Sequence, residues 1–168
     1  MTTTLYAQPY SLAAAGFYFK DAETFATKSA ALRNDYGESF EEFEIQFIDG
    51  EAIDAELAKA IGLYQGDVAA FFDKIEEWDE HQKRNVIIAV GESGYQFGWR
   101  DDPDTLDVDI YEMASLRELA EHFIEEELYG PELARHAHWL DFDAIGRDLG
   151  MEFVATSIAG QSLVYRCA

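Results

Sequence analysis

Apolar and polar positions recur along this chain with a period that changes from segment to segment. Leu116, Leu119, Ala120, Phe123, Ile124 and Leu128 follow the i, i+3, i+4 spacing of one buried helical face, which predicts a helix over 116–129. Ser115 with Glu118 three residues on is a capping-box signature, and Gly130-Pro131 is a stop signal. Just upstream, Leu106, Val108 and Ile110 alternate with Asp107 and Asp109, predicting a strand over 106–112 with one acidic face. Glu42 to Ile48 alternates likewise, with Phe43, Ile45 and Phe47 on one side and Glu42, Glu44 and Gln46 on the other.

The remaining elements are shorter. Thr3 to Tyr10 and Gly16 to Phe19 read as strands, Asp21 caps a helix running to Leu32, and Asn34-Asp-Tyr-Gly37 reads as a turn. The middle of the chain predicts helices over 54–61, 68–78 and 79–90, then a Gly-rich aromatic loop over 91–99. In the second of these helices Val68, Phe71, Phe72 and Ile75 form the apolar stripe, leaving Asp73, Glu76 and Glu77 outward. A short helix near 132–139, a capped one over 141–149 and a hairpin over 152–166 close the chain. The expected fold class is α+β, in three small lobes. These are an N-terminal α+β lobe (1–52), a central short-helix lobe (53–103) and a C-terminal three-stranded antiparallel sheet with helices (104–168).

Composition changes this picture through charge. The chain has 34 acidic and 12 basic residues among 168, a net charge of −22, yet 48% of it is apolar and 14% aromatic. That is too apolar for a disordered acidic tail, so folding works against strong self-repulsion. Direct binding to a nucleic-acid backbone or an anionic membrane is disfavoured, since both need basic patches; basic partners are favoured. Twenty-six of the acids fall in three tracts: nine at 35–56, six at 67–80 and eleven at 101–127. A surface acidified only for high salt predicts acids spread evenly, and one kept for solubility usually mixes both signs. Here Arg117 is the only Arg or Lys between Asp101 and Glu127. Glu118, Glu121 and Glu125 form a row on the outer helical face, in which Glu121 and Glu125 are a like-charge i, i+4 pair costing about 0.2–0.5 kcal/mol.

Catalytic and metal signatures are weak. Asp101 to Glu112 spans a calcium-loop length, but Pro103 and Thr105 interrupt the ligand alternation and Leu106 replaces the required Gly. His136 and His138 point apart on a helix, and no Cys cluster completes a zinc set. Ser93-Gly94 lacks the frame of a nucleophile elbow, and there is neither a dinucleotide fingerprint nor a P-loop. No metal, no cofactor and no enzymatic activity are expected. The lone Cys167 suggests a reducing compartment, and the sequence shows neither a signal peptide nor an 18-residue apolar run, so a cytoplasmic location is expected.

Asp107-Val-Asp-Ile-Tyr-Glu-Met113, the helix Leu116 to Gly130, His138-Trp-Leu-Asp-Phe-Asp-Ala-Ile-Gly-Arg-Asp-Leu149, the closing hairpin and Phe43-Glu-Ile-Gln-Phe-Ile-Asp-Gly50 resemble the antirestriction protein ArdA family. The resemblance covers roughly residues 40 to 166; the first 40 depart from the family pattern. It implies an elongated, three-lobed homodimer that mimics bent B-form DNA and occupies the DNA-binding groove of type I restriction-modification enzymes, at their methyltransferase core. Such proteins tend to be carried on mobile elements and act by occlusion, without chemistry. Two chains carry 44 net charges, matching roughly 75 Å or 22 base pairs of duplex at one charge per ~1.7 Å. The residues expected to form the mimic face are Glu41, Glu42, Glu44, Asp73, Glu76, Glu77, Asp107, Asp109, Glu112, Glu118, Glu121, Glu125 and Glu126. For the dimer contact, the least acidic apolar stretch offers Val86, Ile87, Val90, Tyr95, Phe97 and Trp99. An alternative function is an acidic adaptor or chaperone for another basic, DNA-binding protein.

Overall fold

The computed structural model describes residues 2–11 and 14–167. It is α+β and divides into two compact units, Met1–Leu106 and Asp107–Ala168. The first holds both segments read as separate lobes at 1–52 and 53–103. None of the helices in the described residues is long and apolar enough to cross a membrane.

In the first unit β1 (Thr4–Pro9) lies between β2 (Phe17–Phe19) and β3 (Phe43–Asp49), both antiparallel to it. Leu5 and Ala7 of β1 are buried, as period-two alternation requires of a one-sided sheet. α1 (Ala22–Ala31) starts where the Thr24 amide donates to Asp21 Oδ1 at 2.6 Å. Its Phe25 joins Phe17, Phe19 and Phe43 in an aromatic cluster, with centroids 4.9–6.1 Å apart. The edge of β3 is held by a side chain: Gln65 Oε1 accepts from the Phe43 amide at 2.7 Å, and its Nε2 donates to the Glu41 carbonyl at 3.0 Å.

α2 (Ala52–Ile61) ends at Gly62, whose φ of +64° is the left-handed conformation that favours glycine. A single 3₁₀ turn leads into α3 (Val68–Glu77), which buries Val68 and Phe71. α4 (Glu80–Val86) opens with a reciprocal capping box between Asp79 and Gln82, and buries Lys83, Arg84, Asn85 and Val86. The helix expected to run on to Val90 instead widens into a π turn over Ile87–Glu92. There Gly91 approaches α2 so closely that a Cβ would sit 3.0 Å from that of Ala60.

Lys83 Nζ donates to Asp54 Oδ1 at 2.7 Å, joining α4 to α2 with both side chains at most 6% exposed. The following loop folds back: Trp99 Nε1 donates to Asp67 Oδ1 at 2.7 Å, and its ring stacks on the buried Trp78 with centroids 6.0 Å apart.

In the second unit β6 (Gln161–Cys167) lies between β4 (Val108–Tyr111) and β5 (Val154–Ile158), in antiparallel register. α5 (Leu116–Glu125) and α7 (Phe142–Leu149) pack together, with the short α6 (Pro131–Arg135) between them in sequence. Gly146 allows the contact, since a Cβ there would meet the Leu116 and Arg117 backbone at 3.1 Å. Leu119, Phe123, Phe153 and Val164 form the core, flanked by Tyr111, Met113, Leu116 and Leu149.

Candidate functional site

The carboxylates divide by what holds them. Twenty-nine of the 34 acidic residues are exposed and one, Asp54, is buried. Both units are acidic, with 21 acids and 8 bases in the first and 13 and 4 in the second. Many of these carboxylates build the fold. Asp21, Asp79, Asp102 and Asp141 accept from backbone amides at helix starts, where the dipole also favours negative charge. The Thr24 amide holds Asp21 below the usual carboxylate range.

The row of Glu118, Glu121 and Glu125 is not the unsupported stripe expected. Glu118 Oε2 accepts from the Ala114 amide at 2.8 Å while its own amide donates to Ser115 Oγ at 3.2 Å. Glu121 accepts from Arg117 Nε at 3.0 Å, and Arg117 Nη1 reaches Asp143 across to α7 at 2.7 Å. Those two carboxylates raise the guanidinium pKa further above its ordinary value. Arg117, alone in its tract, is thus placed where it serves two acids at once.

Asp109 also departs from expectation. The 106–112 alternation predicts a solvated face for both Asp107 and Asp109. Instead Asp109 shares a strand face with Tyr111, which packs on Phe123 and Phe153, and it lies opposite Arg166 of β6. Arg166 Nε donates to Asp109 Oδ2 at 3.1 Å, its Nη2 donates to the same oxygen, and its guanidinium lies 5.1 Å from the Phe153 ring centroid. Glu77 is likewise tied, to Lys74 at 2.7 Å.

What remains is a set of exposed carboxylates with no hydrogen-bond or ion-pair partner among the described residues. From the expected face these are Glu41, Glu42, Glu44, Asp73, Glu76, Asp107, Glu125 and Glu126. Glu127 and Asp148, absent from the sequence-based face, belong with them. Glu112 is exposed as well.

Glu127 stands out on backbone grounds. α5 stops at Glu125 rather than at Tyr129, through a Schellman arrangement: the Leu128 amide donates to the Phe123 carbonyl at 3.0 Å and the Glu127 amide to that of Ile124 at 3.1 Å. Glycine is favoured at the left-handed position of such a turn, yet Glu127 occupies it at φ +56°. Three successive glutamates therefore crowd the negative end of the helix dipole, one of them in a strained conformation. The sequence signal was Glu125-Glu-Glu127 before Leu-Tyr-Gly-Pro, in which the left-handed residue comes three positions before the glycine.

The proposed dimer contact is corrected in part. Val86 is fully buried and Ile87 is 5% exposed, so both belong to the core of the first unit and cannot meet a partner. Val90, Tyr95, Phe97 and Trp99 are half-buried. Large exposed apolar side chains lie instead at Leu128, Tyr129, Trp139 and Met151 in the second unit, and at Tyr10, Tyr36 and Tyr64 in the first.

Among the described residues no group of three or more His, Cys, Asp or Glu side chains is arranged to hold a metal. No protein-family model matches the chain, and no characterised protein or solved structure matches it either.

Proposed function

We propose that this chain is an antirestriction protein that acts as a homodimeric mimic of DNA charge, occupying the DNA-binding groove of a type I restriction-modification enzyme. The observation that carries this reading is the placement of Glu125, Glu126 and Glu127. All three are exposed, without a cationic partner among the described residues, at the end of α5 where the dipole and mutual repulsion oppose them and a left-handed backbone further opposes Glu127. Stability does not account for that placement; a demand for negative field does. The resemblance of residues 40–166 supplies the class of target. Glu41 and Glu42 just before β3 and Glu44 on it, with Asp73 and Glu76 on α3, give the first unit its own unneutralised acids. Occlusion follows from electrostatics alone: the enzyme's phosphate-binding arginines and lysines pair with the mimic's carboxylates instead of with duplex phosphates, and complementary charge speeds the encounter.

The test is a cleavage assay with a type I enzyme on unmodified plasmid. Stoichiometric protein should abolish cleavage, and excess duplex DNA should compete for the enzyme. Binding to nucleoid-type basic proteins with no effect on any type I enzyme would replace this reading with that of an acidic adaptor.

A further inference from the structure

The second unit carries an open cavity of about 640 Å³ that charge mimicry leaves unused. Its floor is aromatic, with Tyr111, Phe123 and Phe153 meeting edge to face at centroid distances of 5.5, 5.7 and 5.9 Å. Leu128 and Leu133 line it while remaining 63% and 39% exposed. Asp148 and Glu152 join the lining, and the cation there, Arg166, is matched by Asp109. The two lining carboxylates, both exposed, give the apolar hollow an acidic border, and Glu125, Glu126 and Glu127 adjoin the lining residues Ile124 and Leu128 in sequence.

We infer that this cavity is an anchor pocket for a large apolar side chain carried on a basic segment of the partner protein, an inference that rests on reading that partner as a basic protein. The walls select the anchor, because a cavity of this size lined by rings and leucines gains from an apolar group and not from a phosphate-binding cation. The border selects what flanks it, because free carboxylates favour lysine and arginine. A second copy of this chain is the poorer occupant, since a two-fold contact through this hollow would bring Asp148 and Glu152 of one protomer towards the same acids of its partner. The consequence is a contribution to binding that DNA itself lacks: apolar, and insensitive to salt.

The full chain, isotope-labelled, is titrated by NMR with two peptides of equal charge, Lys-Lys-Leu-Phe-Lys-Lys-Leu-Lys and the same peptide with Leu and Phe replaced by Ala. At roughly 1 M salt, where screening acts within ~3 Å, the Leu/Phe peptide should still bind and shift amides at 111, 123–133 and 145–153, and the Ala peptide should not. Leu128→Gln with Leu133→Gln, both at exposed positions, should weaken the Leu/Phe peptide by roughly tenfold or more, as expected for losing burial of one large side chain. Equal binding of the two peptides at high salt would overturn the inference. So would a dimer seen by light scattering that the double variant dissolves, which would assign the pocket to a second copy. Failure to inhibit a type I enzyme would dismiss the proposed target and leave the peptide result standing.

Discussion

Replacing Asp54 by Asn leaves the Lys83 ammonium buried without a counter-charge, and replacing Lys83 by Met does the same to the Asp54 carboxylate. The pair is 2.7 Å apart, its side chains are 5% and 6% exposed, and it ties α2 to α4. Removing one partner of such a pair costs about 3–5 kcal/mol, a large share of a total stability of about 5–15 kcal/mol. Replacing both, as in Asp54→Asn with Lys83→Met, removes both buried charges together and should cost less than the two single replacements added. Urea unfolding followed by far-ultraviolet circular dichroism gives all four free energies and hence the coupling. The pH dependence adds a second reading. Burial pushes the Asp54 carboxyl above its ordinary value, against the pull of Lys83. A raised folded-state pKa means that the native state holds the proton longer, so this group's contribution falls as pH rises from the unfolded carboxylate pKa through the folded one. Without Lys83 the rise is larger, so the Lys83→Met variant should regain stability on acidification. Single variants within about 1 kcal/mol of the native chain, or an additive double variant, would refute the reasoning.

At the end of α5, the combined Glu125→Gln, Glu126→Gln and Glu127→Gly variant should gain roughly 1–2 kcal/mol in the same urea melts, from relief of the left-handed strain and of repulsion at the dipole. It should also inhibit a type I enzyme less and with a flatter salt dependence; equal potency and equal salt sensitivity would remove this end from the interface. Glu118→Gln with Glu121→Gln should change inhibition much less, because one side chain caps the helix start and the other serves Arg117, while the glutamine side-chain carbonyl still offers an acceptor to the Ala114 amide. For Asp21, whose folded pKa is depressed, the stabilising contribution is full above the unfolded carboxylate pKa and is lost as pH falls through the folded one. Melts of Asp21→Ala and the native chain should therefore diverge near neutrality and converge in acid.

Local chemistry was legible in the sequence, and long-range pairing was not. The caps at Asp21, Ser115 and Asp141 could be read because a cap involves residues two or three positions apart. The C-terminal sheet could be read because the sequence of β4 alternates and a tight hairpin fixes the register of β5 on β6. The setting of Asp109 could not, because its partner Arg166 is 57 positions away, and alternation says which residues share a face without saying which face is covered. The same limit applies to Arg117 and Asp143, 26 positions apart. The stretch 79–90 was legible as helical, but burial of Lys83, Arg84 and Asn85 in succession needs neighbours on several sides, which a single helical stripe does not predict. Val86 and Ile87 failed as contact residues for the same reason: an apolar, weakly charged stretch is as much the signature of a core as of an interface.

The surface acids can finally be sorted by whether the fold explains them. A carboxylate at a helix start lowers the free energy of the helix, and one beside an arginine loses its repulsion, so Asp21, Asp79, Asp141, Glu121 and Asp143 need no function to explain their presence. Adaptation to high salt would explain further surface acids, but it is indifferent to where they sit. Such a pressure would settle on positions without strain, of which an acidic surface offers many. Glu127 is different, because at φ +56° a glycine would close the same turn with less strain and without the charge. Asp148 lies in the last turn of α7 with no cation bound to it among the described residues, again at the unfavourable end of a dipole. Asp148 lines the apolar cavity of the second unit, and Glu127 precedes its lining residue Leu128 in sequence. Asp148, one of the acids that stability does not explain, thus lines a hollow with room for a partner's side chain, which is where an interface would have to hold it against the preferences of the fold.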